Sequence, residues 1–390
     1  MATVAETWWR QTRLDLADRV YAWRDRLLAD PRFQRFASAF PPTRGIARRK
    51  GAALFDLCAG FVYSQILFAC VRLGLFEVLA EGPATVPALA RRLSLTVEAA
   101  DRLLAAAASL GLASRRGDGR YGLGELGAAL LGNPGIAEMI EHHAMLYADL
   151  SDPLALLRGE ARETRLGRFW AYAGTDAPAG AGDGEVASYT RLMAASQPLL
   201  AEDVLDAYDV SRHRRILDIG GGDGTFLTAV AARAPEARLM LFDLPAVADR
   251  ARARFSTGPL AGRAEAFGGD FRADPLPGGA DLVTLVRVVH DHDDESVRTL
   301  LAAAHAALAP SGTVMIAEPM AGTPGAERIG DAYFGFYLLA MGSGRARSPQ
   351  VLGGFLEQAG FCDVRAVPTR RPFLAGIVTA VSDKSSVRLD

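Results

Sequence analysis

Cysteine is scarce in this chain. Its 390 residues hold three, Cys58, Cys70 and Cys362, too few and too scattered for a disulfide framework. No CxxC or CxxxCxxC spacing occurs, so the ligand sets of zinc ribbons and iron–sulfur radical enzymes are missing. All three cysteines are expected to be small buried hydrophobes. An excess of charge of one sign is lacking too: the formal net charge of -2 gives no whole-chain reason to bind nucleic acid. The N-terminal stretch MATVAETWWRQTRLDLADRV has no apolar core of the kind a signal peptide carries, and no run of eighteen apolar residues follows it. A cytoplasmic location is therefore the expectation. What remains is a globular composition, 50% hydrophobic and 23% charged, in a chain long enough for two or three packed units.

Four segments differ in texture. Residues 1–50 carry eleven Lys/Arg against five Asp/Glu, with Trp8, Trp9, Tyr21, Trp23, Phe33, Phe36 and Phe40 interleaved. Arginines and rings mixed on an amphipathic helix suit peripheral contact with a membrane surface. An arm packed on the rest of the protein or on a partner subunit is the alternative. Residues 51–131 read as helices with a short hairpin. The stretch FDLCAGFVYSQILFACVRLGLFEVLA breaks at Gly74 and is apolar nearly all round, so it should be buried. Two helices around LSLT, followed by a turn at Gly117-Asp118-Gly119, make a winged-helix pattern. A ligand-sensing DNA-binding regulator thereby enters as a rival function. The recognition helix would be VEAADRLLAAAASLG, whose one basic residue, Arg102, offers little to phosphates or base edges. A packing, dimer-forming winged helix is the expectation, with no nucleic acid as partner. Residues 132–210 are helical around the loop AGTDAPAGAGDG. In residues 211–383 short β-rich runs alternate with helices, which means a parallel sheet with crossover helices, closed by an antiparallel edge of CDVRAVPT and FLAGIVTAV. The fold class is α/β.

RRILDIGGGDGTF ends a buried strand in a glycine turn. Gly220 and Gly222 let the backbone bend and a ligand approach with no Cβ in the way. The dinucleotide pattern G-x-G-x-x-G fails, because its sixth place is Thr225, whereas G-x-G-x-G fits a nucleoside with a short charged tail. Asp243 ends the next strand, where a carboxylate can accept both ribose hydroxyls. Asp270 and Phe271 follow the third, placed to accept from an adenine amino group and to cover the ring. Helix N-capping is the plainer role for both acids.

Taken together, the glycine loop, Asp243, GGDF and the stretch VRVVHDHDDE resemble the two-domain S-adenosylmethionine-dependent O-methyltransferases, over roughly residues 55–380. The resemblance implies a class I methyltransferase, a Rossmann-like and mostly parallel sheet with an antiparallel last strand, behind an N-terminal winged-helix dimerisation domain. It implies S-adenosyl-L-methionine as cofactor, with Arg287 beside it. The family's His-Asp-Trp-x-Asp motif assigns the general base to His290, a neutral imidazole that takes a hydroxyl proton as the oxygen attacks the sulfonium methyl. Glu318 matches the acid that orients it. His292 departs from the family's Trp, and Ala346, in GRARS, replaces a second family acid. No metal is expected at this cluster: a chain leaving a strand cannot aim His290, His292, Asp293 and Asp294 at one point. Asp293, Asp294 and Glu295 read as a solvated first helical turn.

An apolar acceptor pocket is expected from the helices of residues 132–200 and 328–343, with His143, Tyr147, Met193, Phe334 and Tyr337 as candidate lining. Singly, such residues are more often core than ligand contacts. At this level the chain looks like the carotenoid O-methyltransferases of purple bacteria, which methylate the tertiary 1-hydroxyl of acyclic carotenoids. A bacteriochlorophyllide or an aromatic polyketide hydroxyl is the alternative acceptor.

Overall fold

The protein is described from a computed structural model covering residues 4–161, 163–170 and 197–384, with side chains from residue 15 onward. It divides into two compact units after Glu125.

The first unit opens with three helices, α1 Val4–Ala29, α2 Pro31–Ala39 and α3 Pro41–Arg72, then a short α4 Leu75–Ala80. Prolines at the first turns of α2 and α3 are well placed, because the missing N–H is one a helix start leaves unpaired. Gly74 turns the chain between α3 and α4 at φ 64°. Next come β1 Ala84–Thr85, α5 Val86–Arg92, α6 Val97–Ser109, β2 Ala113–Arg115 and β3 Arg120–Leu123, the strands forming an antiparallel sheet in the order β1-β3-β2. Thr96 caps α6 by accepting from Ala99 N–H at 3.2 Å. Two expectations fail here. The N-terminal half of the apolar stretch is exposed within this chain: Phe55, Leu57 and Phe61 are 65%, 73% and 72% exposed, although Leu75, Phe76 and Leu79 beyond Gly74 are buried. Of the cysteines only Cys70 is buried, while Cys58 and Cys362 are exposed. By length and composition α3 could cross a membrane, although no uninterrupted apolar run of that length occurs.

The second unit starts within α7 Glu125–Leu131 and continues with α8 Pro134–Asp149, α9 Pro153–Leu157, α10 Arg165–Phe169 and a helix, α11, over residues 197–207. Then β4 Arg215–Ile219, α12 Thr225–Arg233, β5 Arg238–Asp243, α13 Pro245–Phe255, β6 Ala264–Gly268, β7 Ala280–Val286, α14 Asp294–Ala307 and β8 Leu308–Glu318 alternate. A π-helical turn, Arg328–Phe334, runs into α15 Gly335–Met341; α16 Pro349–Gln358, β9 Phe361–Val367 and β10 Gly376–Ser382 complete the chain.

The seven-stranded sheet has the order β6-β5-β4-β7-β8-β10-β9, parallel from β6 to β8, with β10 antiparallel to β8 and to β9. Its strands alternate between two cores. Ile216 and Leu282 face one with Phe226 and Val230, whereas Leu217 and Val283 face the other with Leu300 and Leu352. Both faces are covered, as a parallel sheet requires, and truncating a buried leucine such as Leu300 to Ala should cost ~2–5 kcal/mol. The chain runs outward from β4 to β6, then returns to β7 on the other side. That reversal opens a crevice at the carboxyl ends of β4 and β7, where ligands bind in such sheets.

Candidate active site

The crevice is a cavity with an empty volume of about 660 Å³, part of it open to solvent. Gly220, Asp243, Asp270, Phe271 and Arg287 all line it, along with Asp291 and His292. Gly220 has φ 69°, and a Cβ there would sit 2.7 Å from Val288 Cγ2. Gly222, also left-handed at φ 62°, donates its N–H to Asp243 Oδ2 at 2.8 Å, and Leu244 N–H donates to Oδ1 at 2.7 Å. Asp243 thus ties the glycine loop to the next strand end, and each oxygen keeps a lone pair for a further donor. Burial pushes its carboxyl up to about 6, against the pull of these two N–H groups. The neighbouring Asp218, buried at the end of β4, is lifted by burial to about 7, although Thr284 donates to it at 2.6 Å. Asp270 Oδ1 accepts from Arg272 N–H at 3.0 Å, and Phe271 meets His292 edge-on with centroids 5.2 Å apart. A glycine floor, a carboxylate at one strand end and a ring at the next fit an adenosyl group.

His290 lies in a 3₁₀ turn, Val289–Asp291, just beyond β7. Glu318, the last residue of β8, is fully buried and accepts from the His290 backbone N–H at 3.0 Å with Oε2, which also lies 3.1 Å from His290 Nδ1. The other ring nitrogen, Nε2, lies 3.2 Å from Asp291 Oδ1. Burial disfavours the imidazolium, but the charges of Asp291 and Glu318 together outweigh it and push His290 up to about 10. A carboxylate against each nitrogen favours the imidazolium over the neutral imidazole expected from the sequence. Glu318 Oε1 is buried with no hydrogen-bond partner among the described residues, so the cluster holds more acceptor capacity than the chain itself uses.

A loop the sequence reading considered only for its missing acid holds this turn. Ser343 Oγ donates to Asp291 O at 2.7 Å, and Gly344, at φ 78°, passes so close to His290 O that a Cβ would sit 2.1 Å from it. Arg347 is 2% exposed and donates to Val289 O at 3.0 Å, His292 O at 2.8 Å and Asp294 Oδ1 at 2.7 Å. Arg345 also pairs with Asp294 at 2.5 Å. Asp294 is therefore ion-paired rather than solvated, and Asp293 is the α14 cap, accepting from Ser296 N–H at 2.8 Å. The only sequence signal for this clamp was two arginines in a row of small residues.

Beside His290 lies an aromatic wall. Phe334 stands edge-on to the imidazole at 5.5 Å, and Tyr333 stands edge-on to Phe334 at 5.0 Å. The π-helical turn brings these adjacent rings together, a distortion common at functional sites. Tyr333 hydroxyl lies 2.7 Å from His143 Nε2, and the His143 and Tyr147 rings are 6.1 Å apart. Tyr337 is turned toward the core: Trp170 Nε1–H donates to its oxygen at 2.9 Å, and the hydroxyl lies 2.7 Å from Nε2 of the buried His142. Burial pulls His142 down to about 4, so it stays neutral. His142 and Tyr333 were missed in the sequence, and Met193 lies outside the described residues.

Residues 147–362 match the O-methyltransferase domain, and residues 55–133 the O-methyltransferase dimerisation domain. The chain is 47% identical over 357 residues to demethylspheroidene O-methyltransferase of Cereibacter sphaeroides, covering 91% of this chain and 93% of that protein. It is 42% identical over 359 residues to the enzyme of the same name from Rhodobacter capsulatus, covering 91% and 88%. Human N-acetylserotonin methyltransferase, solved in complex with S-adenosylmethionine, matches with a TM-score of 0.69 at 25% identity over 86% of this chain and 98% of that one.

Proposed function

This chain belongs to the O-methyltransferase family with an N-terminal dimerisation domain, and we propose that it methylates the tertiary 1-hydroxyl of an acyclic carotenoid of the demethylspheroidene type. It is an S-adenosylmethionine-dependent enzyme and forms a homodimer. In this reading residues 211–383 bind the cofactor, residues 132–210 contribute to the acceptor side and residues 51–131 pair two copies. Contact with the membrane that holds such an acceptor is part of the same reading.

The observation that carries the chemistry is the cluster of buried His290 and Glu318 with the partly exposed Asp291, which lines the glycine-loop cavity. When bound, S-adenosylmethionine supplies an electrophilic methyl on a sulfonium. Two carboxylates around one imidazolium leave one negative charge in excess, which complements that cation and can take up the hydroxyl proton. Asp291, on the cavity side, is the acceptor of that proton and shares it with the His290 ring, which Glu318 holds in place. A tertiary alcohol is a poor acid, so holding its oxygen in line with the methyl should supply much of the rate. Phe334 and Tyr333 form the wall against which the acceptor rests, with His143 and Tyr147 behind them. The acceptor's identity is supported by the likeness to the two demethylspheroidene enzymes. Purified protein incubated with S-adenosylmethionine and detergent-solubilised hydroxylated carotenoids should give pigments carrying one added methyl by mass spectrometry. Binding of the cofactor with no methylated carotenoid would remove this acceptor.

A further inference from the structure

Neither the active site nor the dimerisation match, which starts at residue 55, accounts for the stretch just before it. Residues 31–55 hold six cations, Arg32, Arg35, Arg44, Arg48, Arg49 and Lys50, and no acid. All six are exposed. Asp30, at the edge of the stretch, is engaged as the cap of α2, accepting from Arg32 N–H at 2.7 Å. Phe33, Phe36 and Phe40 follow the spacing i, i+3, i+7, which collects them on one side. The Phe36 and Phe40 rings stack at 5.2 Å yet remain 57% and 42% exposed, and Ile46 in the first turns of α3 is 53% exposed.

Charge decides between occupants. A two-fold contact centred on this patch would set it against itself, cation facing cation, with no acid in the stretch to offset the repulsion. An anionic bilayer meets both halves of the pattern: headgroups take the cations while the rings and Ile46 enter the acyl boundary. We propose that α2 and the first turns of α3 form a docking face for anionic lipid, holding the enzyme at the surface from which its apolar acceptor is drawn. The purpose rests on the carotenoid reading; the binding does not, so vesicle flotation without turnover separates a failure of one from a failure of the other.

The full chain should float with mixed phosphatidylcholine–phosphatidylglycerol vesicles at low salt and stay behind with pure phosphatidylcholine. The combined R44E, R48E and R49E variant should lose on the order of a hundredfold in partitioning. Its affinity for S-adenosylhomocysteine and its dimer mass should be unchanged. Phe36→Ser, which leaves every cation in place, should weaken the binding that survives raised salt. Equal flotation with both vesicle types, or wild-type flotation of the charge-reversed variant, overturns the proposal. So does loss of the dimer in that variant, which would make the stretch a subunit contact.

Discussion

Replacing Arg347 by Met tests whether the 343–347 loop holds the catalytic turn in register. Methionine keeps an apolar stem of similar reach against Phe355, whose ring centroid lies 5.7 Å from the guanidinium carbon, so little cavity should open. What disappears is a set of donors. Val289 O and His292 O lose partners at 3.0 and 2.8 Å in buried surroundings, at about 1–3 kcal/mol each. Asp294 is 34% exposed and keeps Arg345, so its share is small. The total, about 2–6 kcal/mol, divides between global unfolding and local displacement of His290. Displacement of the order of 1 Å can cost about a hundredfold in rate. Arg347 does not line the cavity, so urea denaturation should show lowered stability and kcat should fall about a hundredfold, while calorimetry finds cofactor affinity little changed. Arg347→Lys should recover only part of the rate, since a point charge cannot fork between two carbonyls. An Arg347→Met protein as stable and as fast as the parent would refute the clamp.

Three further outcomes are expected. His290→Ala should cut product formation by about 10²–10⁴ with S-adenosylmethionine affinity nearly intact, and unchanged turnover would remove His290 from the mechanism. Burial lifts Asp243 to about 6, so its charged acceptor is lost as pH falls through that value. Cofactor binding should weaken between pH 8 and pH 5 by calorimetry, and Asp243→Asn should weaken it throughout and flatten that profile. The His290 cation, raised to about 10 by Asp291 and Glu318, contributes stability that is full below its unfolded pKa of about 6.5 and is lost as pH rises through about 10. Thermal melts between pH 7 and pH 10 should therefore fall more steeply for the parent than for His290→Gln; parallel curves would contradict the pairing.

The cofactor side of the site is legible in the sequence because each residue sits at a strand end where backbone geometry fixes its neighbours. Gly220 must be a glycine at φ 69°, and Asp243 and Asp270 follow adjacent parallel strands, so one linear pattern maps onto one cavity. The acceptor side is less so. His143 and Tyr333 meet across 190 residues, and the π-helical turn that pairs Tyr333 with Phe334 leaves no periodic trace. The second carboxylate against His290 was hidden because Asp291 had no role of its own in the linear motif, whereas the 3₁₀ turn folds it back onto the ring. Arg347 was not legible as a clamp, since three of its acceptors lie more than fifty residues upstream. The exposed Phe55, Leu57 and Phe61 look like core in sequence because composition alone does not say whether an apolar face is covered by its own chain.

The most direct test is a crystal structure with S-adenosylhomocysteine. The adenosyl group should lie over Gly220 with its ribose at Asp243 and its base beside Phe271. The thioether should then point at the His290–Asp291 edge, leaving room for a methyl and an acceptor oxygen at a reacting distance of about 3–3.5 Å. A thioether directed away from that edge, or a ligand seated outside the glycine-loop cavity, would contradict the assignment of this cluster to methyl transfer.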